Sequence, residues 1–298
     1  MKTVILIFSF AAAGLLNRSY ESIESLSPDP VYISCTACPK EIRGFLNIPV
    51  DADCDQIKWK LQLNDNGKYT LNTLWGFHVT NSKWEERGKL TDVRGTWKVS
   101  KTNPGFKKSE IYSLTRDERP GESLLLLRLN DNMMQILSKD KKMIPGTEGF
   151  ANTLNRNFPV DDKSIDFTLE NVDVKPKDMT LAGRTPFKPF DKELSITDNE
   201  DHDKIKWKFV LYGNGKLEAR RILENPDDYK GKWTTSKGWS GNEDAVVYKL
   251  DFETPAKHTI YLLKGTDDLF FFLSKDGGMI NGNHEFGSSL IRRIPSDQ

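Results

Sequence analysis

Apolar and polar residues alternate along much of the chain. In residues 56–63, QIKWKLQL, every second side chain is apolar and the side chains between them are polar. A period of two is typical of a β-strand with one buried face and one solvated face. Asn66-Gly67 follows at once, and this dipeptide supplies the positive φ angles that a tight hairpin turn requires. The pattern predicts an antiparallel hairpin at this point.

Strand-like segments recur throughout the chain. The first half contains SEIYSL, SLLLLRL and MMQILS, and the second half contains VVYKLDF, HTIYLL and LFFFLS. About seven or eight short strands in each half, with few helical stretches, favour a closed up-and-down barrel, and a β-sandwich is the alternative. The interior of an eight-stranded barrel is filled by side chains or holds one small ligand.

The two halves of the chain are divergent copies of one another. Residues 56–69 recur at 204–217, which lie 148 positions later. From a Gly-x-Trp motif onward the copies lie 136 positions apart. The first copy therefore has twelve extra residues around 78–92, which we interpret as a longer loop or a short helix. A period this long predicts two complete domains produced by duplication, rather than the stacked units of a solenoid.

Four tryptophans occupy matching places in the two copies. Trp59 matches Trp207, and Trp97 matches Trp233. Tryptophans repeated at matching positions more often specify packing than ligand contact, so we expect these four side chains in the barrel cores. Contact with a ligand is the alternative.

The repeat and the first residues divide the chain into four parts. Residues 1–19 contain Lys2, an apolar run and a polar exit, and the run is shorter than the roughly 20 residues of a transmembrane helix. We interpret them as a secretory signal peptide, with a buried first helix or an uncleaved anchor as alternatives. Residues 20–156 and 183–298 are expected to form the barrels, joined by a charged linker at 157–182.

The charge balance argues against nucleic acid as a partner. The chain has 43 basic and 43 acidic side chains, so no long-range field attracts nucleic acid or anionic lipid, and we expect at most a peripheral relation to a membrane. No histidines lie at metal-ligand spacing on one element, and no zinc-hydrolase, serine-hydrolase or nucleotide-loop motif is present. The sequence predicts a protein that is not an enzyme, with a hydrolase of unrecognised site as the alternative.

The chain has three cysteines, Cys35, Cys38 and Cys54. In an oxidising compartment two of them can pair, and one is left over. Held as thiolates, the three would suit Cu(I) or Zn(II) better than Ca(II) or Mg(II). A structural disulfide, a soft-metal site and unpaired thiols are all open at this stage.

Several short motifs follow one another in the same order in the two copies. They include Gly-Arg-Thr-Pro at 183–186, Cys-x-x-Ile-Lys-Trp at 54–59, the Gly-x-Trp strand, and Leu-Ser-Lys-Asp-x-x-Met-Ile-x-Gly at 137–146. Together they resemble the N-terminal domain family of the copper-resistance envelope lipoprotein NlpE, particularly its two-copy members. The resemblance covers roughly residues 33–156 and 183–293.

This resemblance implies two tandem lipocalin-like barrels in the periplasm or cell envelope of a Gram-negative bacterium, linked to copper handling or to sensing of envelope stress. It also maps the cysteine pair of the family onto Cys38 and Cys54, whose disulfide would leave Cys35 as the odd thiol. In the second copy Phe187 and His202 stand at the two matching positions. Copper is the cofactor that the resemblance suggests, although a chain without any cofactor is the simpler expectation.

The combined prediction is an exported, non-catalytic envelope protein that acts as a binding module or as a sensor of stress or metal. Its partner would be an envelope protein or a small ligand. The alternative is a lipocalin-like carrier of a small apolar ligand, which requires an open barrel interior lined by apolar side chains.

Overall fold

The structure is a computed structural model, and it describes residues 29–77, 88–101, 109–167, 178–193, 202–222, 226–254 and 257–293. The predicted signal peptide at 1–19 lies outside the described residues. So does most of the predicted insertion, residues 78–87.

The first copy folds into a closed antiparallel barrel of eight strands. The strands are β1 (Val31–Ala37), β2 (Gln56–Leu63), β3 (Lys68–Gly76), β4 (Lys89–Ser100), β5 (Ile111–Arg116), β6 (Ser123–Asn130), β7 (Met133–Leu137) and β8 (Thr153–Arg156). Each strand pairs with the next along the chain, and β8 closes the barrel by pairing with β1. A single helical turn, α1 (Lys40–Arg43), lies between β1 and β2.

The second copy repeats this barrel. Its elements are β9 (Met179–Pro186), α2 (Phe190–Glu193), β10 (Lys204–Leu211), β11 (Lys216–Ile222), β12 (Pro226–Trp239), β13 (Asn242–Thr254), β14 (His258–Lys264), β15 (Leu269–Leu273) and β16 (Ser289–Arg293). β16 pairs with β9 to close the barrel. The prediction of two tandem antiparallel barrels is confirmed. The first strand begins at Met179, four residues before the boundary expected at 183, and the end of the linker region therefore belongs to the barrel.

The predicted hairpin turn is present in both copies. Gly67 and Gly215 have φ angles of +74° and +83°, which only glycine adopts readily. The side chains of Asn66 and Asn214 each accept a hydrogen bond of 3.0 Å from the backbone N–H two residues later. The same local chemistry therefore fixes the register of β2 with β3 and of β10 with β11.

The alternating pattern separates the two faces of each strand. In β2, Ile57, Trp59 and Leu61 are buried in the barrel, whereas Lys60 between them is exposed. Complete burial of one large apolar side chain contributes about 1.5–3 kcal/mol. The inward half of each strand is therefore the main source of the stability of its barrel.

Aromatic rings occupy the interior of the second barrel. Trp207 stacks on Phe209 with ring centroids 5.6 Å apart, and it lies 5.5 Å from Phe272. Phe190, from α2, meets Phe272 edge to face at 5.0 Å. These inward side chains pack on one another rather than surround an open channel.

A third apolar cluster joins the two barrels. Each barrel contributes the same outer face, made of residues that match one another 136 positions apart. The matching pairs are Ile111 and Val247, Leu127 and Leu263, Met133 and Leu269, Leu137 and Leu273, and Met143 and Met279. A face packed on its own copy is the arrangement of an isologous dimer interface. The linker adds Ile165 and Phe167 to this inter-barrel cluster.

Polar contacts border the inter-barrel cluster. The side-chain amide of Asn155 on β8 donates to the Asn283 carbonyl at 2.9 Å and accepts from the Gly282 N–H at 3.2 Å. Arg293 on β16 forms an ion pair with Glu148 of the first barrel. These contacts fix the orientation of one barrel on the other.

Candidate functional site

A polar cleft opens at the edge of the inter-barrel cluster. It has a volume of about 840 Å³. The first barrel contributes Lys101, Ser109, Glu110 and Arg128, the linker contributes Ser164, Ile165 and Asp166, and the second barrel contributes the β12–β13 hairpin, residues 240–244. Clefts between domains are frequent ligand sites, and we refer to this one as the inter-barrel cleft.

The linker is held against the first barrel by hydrogen bonds to the β6–β7 turn. The carboxylate of Asp162 accepts from the Asp131 N–H at 2.6 Å and from the Ser164 N–H at 2.8 Å. The Asn132 side chain donates to the Val160 carbonyl at 2.8 Å and accepts from the Val160 N–H at 2.7 Å. These bonds direct residues 164–166 into the cleft.

The linker is also bonded to the opposite wall. The Asn242 side chain, at the start of β13, donates to the Phe167 carbonyl at 2.9 Å. The turn before it has left-handed φ angles at Gly238, Ser240 and Gly241, of +89°, +45° and +82°. This tight turn brings the hairpin back over the linker, so the cleft has walls on both sides.

Arg128 is the central charge of the inter-barrel cleft. Its guanidinium lies 2.7 Å from the Glu110 carboxylate, 2.5 Å from that of Asp131 and 3.1 Å from that of Asp166. Its hydrogen bond lowers the pKa of Glu110. Burial raises the pKa of Asp166. The pKa values of two carboxyl groups that face the same guanidinium are thus shifted in opposite directions.

Among the described residues that line the cleft, negative charges outnumber positive ones. Glu110, Asp166, Glu243 and Asp244 line it, against two basic residues, Lys101 and Arg128. Arg128 is surrounded by three carboxylates, so its charge is largely compensated. The lining favours a polar solute that brings positive charge and hydrogen-bond donors.

The structure contains the disulfide that the family resemblance implies. Cys38 and Cys54 are bonded with an S–S distance of 2.06 Å and Cα atoms 5.9 Å apart. The segment between them is closed around Arg43, whose buried guanidinium donates to the Ala52 carbonyl at 3.0 Å and the Cys54 carbonyl at 3.1 Å. The predicted disulfide is confirmed, and it fixes the α1 segment across one end of the first barrel.

Cys35 lies on the outer side of β1. Its neighbour Thr36 points inward to the Trp59 ring, so Cys35 faces away from the barrel interior. It is nevertheless only 5% exposed, and its thiol donates to the Gln56 side-chain oxygen at 3.3 Å. Burial raises the pKa of the Cys35 thiol to about 12, and the negative charge of Glu285, in the second barrel, adds to this increase. The second barrel is therefore close enough for its charge to act on this thiol.

The three cysteines do not act together as thiolates while Cys38 and Cys54 are bonded to each other. Within the described ranges, no group of three or more His, Cys, Asp and Glu side chains is placed to hold a metal ion. A soft-metal site at Cys35, Cys38 and Cys54 would need the reduced chain, and it stays a prediction.

The four tryptophans take equivalent places in the two barrels. The indole N–H of Trp59 donates to the Thr36 hydroxyl at 2.7 Å, and that of Trp207 donates to the Thr185 hydroxyl at 2.9 Å. Trp97 and Trp233 donate to backbone carbonyls of the preceding hairpin turn, at 3.1 and 2.8 Å. Trp59, Trp207 and Trp233 are buried, and Trp97 is half-buried against the core of the first barrel.

The sequence analysis did not identify the residues of the inter-barrel cleft. They come from both copies and from the linker, and no motif connects them. One signal was present, since Arg128 interrupts the apolar run SLLLLRL of β6. A charge in such a run indicates either a solvated strand end or a buried ion-pair network.

Comparison of the chain with protein-family models, with curated proteins and with solved structures finds no match. The resemblance to the NlpE family and its copper link therefore stay predictions. None of the helices in the described part of the chain has the length and apolar content needed to cross a bilayer.

Proposed function

We propose that this chain is an exported, non-catalytic binding module of the cell envelope, and that its ligand occupies the inter-barrel cleft. One observation carries the proposal: both barrels and the linker together build a cleft of about 840 Å³, whereas the described inward side chains of the barrels pack on one another. Because the two barrels are packed together through the inter-barrel cluster, the cleft between them keeps one shape.

Two features support export. The apolar segment near the N-terminus has the charge pattern of a signal peptide. The Cys38–Cys54 disulfide is typical of a protein that resides in an oxidising compartment.

The ligand class follows from the charges of the cleft. The described lining has four carboxylates against two basic groups, which favours a cationic solute such as an oligoamine or a basic peptide segment. A small apolar ligand is less well supported, because rings such as Trp207, Phe209 and Phe272 fill the barrel interior where a carrier would hold it.

Hydrolysis is a second candidate, favoured by one observation. Glu110 and Asp166 have pKa values displaced in opposite directions, as an acid and base pair requires. Arg128, however, lies between them and forms an ion pair with each, so the shifts are accounted for by a structural network. Binding is therefore the better supported function.

The test is calorimetric titration of the oxidised chain with cationic probes, spermidine and a lysine tripeptide. A glutamate tripeptide and palmitate serve as acidic and apolar comparisons. We expect binding of the cationic probes, and we expect the double variant Glu243→Gln with Asp244→Asn to bind them about tenfold more weakly, since two charges are removed from the cleft wall.

Asp140→Asn with Asp276→Asn is the matched control, because these acidic residues lie on exposed turns outside the cleft. It should bind the probes as the wild type does. Equal weakening in both double variants, or binding of palmitate in preference to the cationic probes, would contradict the proposal. Turnover of a glycoside or ester substrate that is abolished by Asp166→Asn would favour the hydrolase.

A further inference from the structure

Both barrels present a matching set of basic residues on outward positions. In the first barrel these are Lys58, Lys60, Lys68 and Arg94, and in the second they are Lys206, Lys208, Lys216 and Lys230. We call each set the basic face of its barrel. None of these residues belongs to the inter-barrel cluster. The strand order places each basic face across its barrel from the inter-barrel cluster, so the two faces point away from one another. We propose that either basic face docks the protein on the surface of an anionic lipid bilayer.

Strand geometry fixes the direction of these side chains. Lys58 and Lys60 flank Trp59 on β2, and Lys206 and Lys208 flank Trp207 on β10. Since the tryptophans point inward, the lysines point outward. Lys58 is half-buried, and the other seven basic residues are exposed. Each face therefore presents its charge to solvent on three neighbouring strands.

The positive charge is what the two copies have in common on this face. At neighbouring outward positions the copies differ: Gln62 stands against Val210, Thr70 against Glu218, and Asn72 against Arg220. Solvation of an outward position requires a polar side chain, but it does not require a particular sign of charge. Agreement in sign at four positions, within such divergence, indicates a shared partner of opposite charge.

One acidic position also matches, Asp92 and Asp228, and in both copies a neighbouring strand engages it. The Asn72 side chain donates to Asp92 at 2.5 Å, and Arg220 lies 3.6 Å from Asp228. These contacts reduce the effect of the carboxylates on an approaching anion. The net charge of the basic face is therefore positive in both barrels.

The second barrel adds a depression on its basic face. A groove of about 370 Å³ lies across β10, β11 and β12. Three basic residues, Lys208, Arg220 and Lys230, line it together with two acidic ones, Glu218 and Asp228, so its charge is positive on balance. A phosphate group of a lipid could lie there. The surrounding lysines would contact neighbouring headgroups.

The side-chain types favour a bilayer over other polyanions. Seven of the eight residues are lysines, which act as mobile point charges and do not impose the fixed geometry of an arginine fork. Lysines are therefore suited to the diffuse negative charge of lipid headgroups. Among the outward residues of β2–β4 and β10–β12 in the described structure, the ring of Trp239 packs against the inter-barrel cluster, and the basic faces themselves contain no aromatic ring on which a nucleic-acid base could stack.

A neutral chain can bind such a surface because the attraction is local. The balance of 43 basic and 43 acidic residues removes the long-range field, but a face within a Debye length of about 8–10 Å responds to its own charges. Binding should therefore be weak, reversible and sensitive to salt. This inference does not depend on the ligand of the inter-barrel cleft.

The test is cosedimentation of the full chain with phosphatidylcholine vesicles that contain or lack phosphatidylglycerol. We expect binding only with phosphatidylglycerol, and weaker binding as salt rises. Lys60→Glu with Lys208→Glu should reduce partitioning at least about fivefold, because it reverses one charge on each face.

Lys139→Glu with Lys275→Glu is the matched control. It makes the same charge change at matching turn positions outside the basic faces, and it should bind as the wild type does. Circular dichroism and thermal midpoints verify that both variants fold. Absence of phosphatidylglycerol-dependent binding, or equal loss in the two variants, would overturn the proposal. Salt-sensitive binding of a single-stranded oligonucleotide without vesicle binding would overturn it as well.

Discussion

Phe187 and His202 meet edge to face at one end of the second barrel, with ring centroids 5.4 Å apart. They occupy the positions at which the first barrel has its Cys38–Cys54 disulfide. The two copies thus close the same end, between their first and second long strands, by different means. One closure is covalent and the other is an aromatic contact.

This difference predicts unequal effects of substitution. Replacing both Cys38 and Cys54 with serine removes a constraint on a sixteen-residue separation and should lower the free energy of unfolding of the first barrel by about 3 kcal/mol. His202→Ala removes the ring contact with Phe187 but no covalent constraint, and the loss of that contact should cost the second barrel about 0.5–1.5 kcal/mol. Urea unfolding with hydrogen-exchange mass spectrometry assigns each loss to its barrel.

Reductant distinguishes the two closures. It should destabilise the first barrel of the wild type and leave the His202→Ala effect unchanged. A first barrel that unfolds at the same urea concentration with and without reductant would contradict this assignment.

The Arg128 network predicts a pH-dependent contribution from Glu110. The hydrogen bond from Arg128 lowers the pKa of Glu110 in the folded chain, so the carboxylate stabilises the fold above its unfolded pKa. That stability is lost as the pH falls through the lower, folded pKa. Glu110→Gln should destabilise the chain at neutral pH, by about 1.5–3 kcal/mol at most, and the difference from wild type should shrink in acid.

Glu118→Gln is the matched control for Glu110→Gln. Glu118 also pairs with an arginine, Arg116, but its own side chain is 81% exposed, so solvent screens the interaction. Urea midpoints measured across the acid range should show little effect of this variant. A Glu110→Gln curve parallel to that of the wild type at every pH would count against the network.

Gly287 lies where the two barrels are in close contact. A methyl group at this position would contact the Ala151 side chain of the first barrel and would lie 2.6 Å from the Thr153 hydroxyl. Gly287→Ala should therefore loosen the inter-barrel contact and cost about 1–3 kcal/mol. Calorimetry should show the barrels melting in two separated transitions.

Gly121→Ala provides the comparison for Gly287→Ala. An added methyl group at Gly121 has open space around it, so this variant should melt as the wild type does. Identical melting curves for the two alanine variants would argue that the barrels are not in close contact at Gly287.

Much of the fold could be predicted because its information is local. The alternation in β2 and the Asn66-Gly67 turn specify a hairpin without reference to the rest of the chain. Because the sequence repeats internally, each such prediction for one copy applies also to the matching segment of the other. The tryptophans at equivalent places follow from the same duplication.

The packing between barrels could not be predicted in the same way. The strands β7 and β15 are buried at every position, since one side faces a barrel interior and the other faces the inter-barrel cluster. Continuous apolar runs such as LFFFL indicate burial on both faces, but they do not identify the element that covers the outer one. The inter-barrel cleft depends on that packing, so its residues carry no motif.

The central claim, that the two barrels share one packed face, is tested most directly by the reaction of Cys35 with iodoacetamide. This thiol faces outward from the first barrel and is nevertheless buried, and the charge of Glu285 in the second barrel reaches it. The account predicts very slow alkylation in the native oxidised chain, faster alkylation in Gly287→Ala, and complete alkylation in urea. Alkylation of the native wild type as fast as in urea would contradict it.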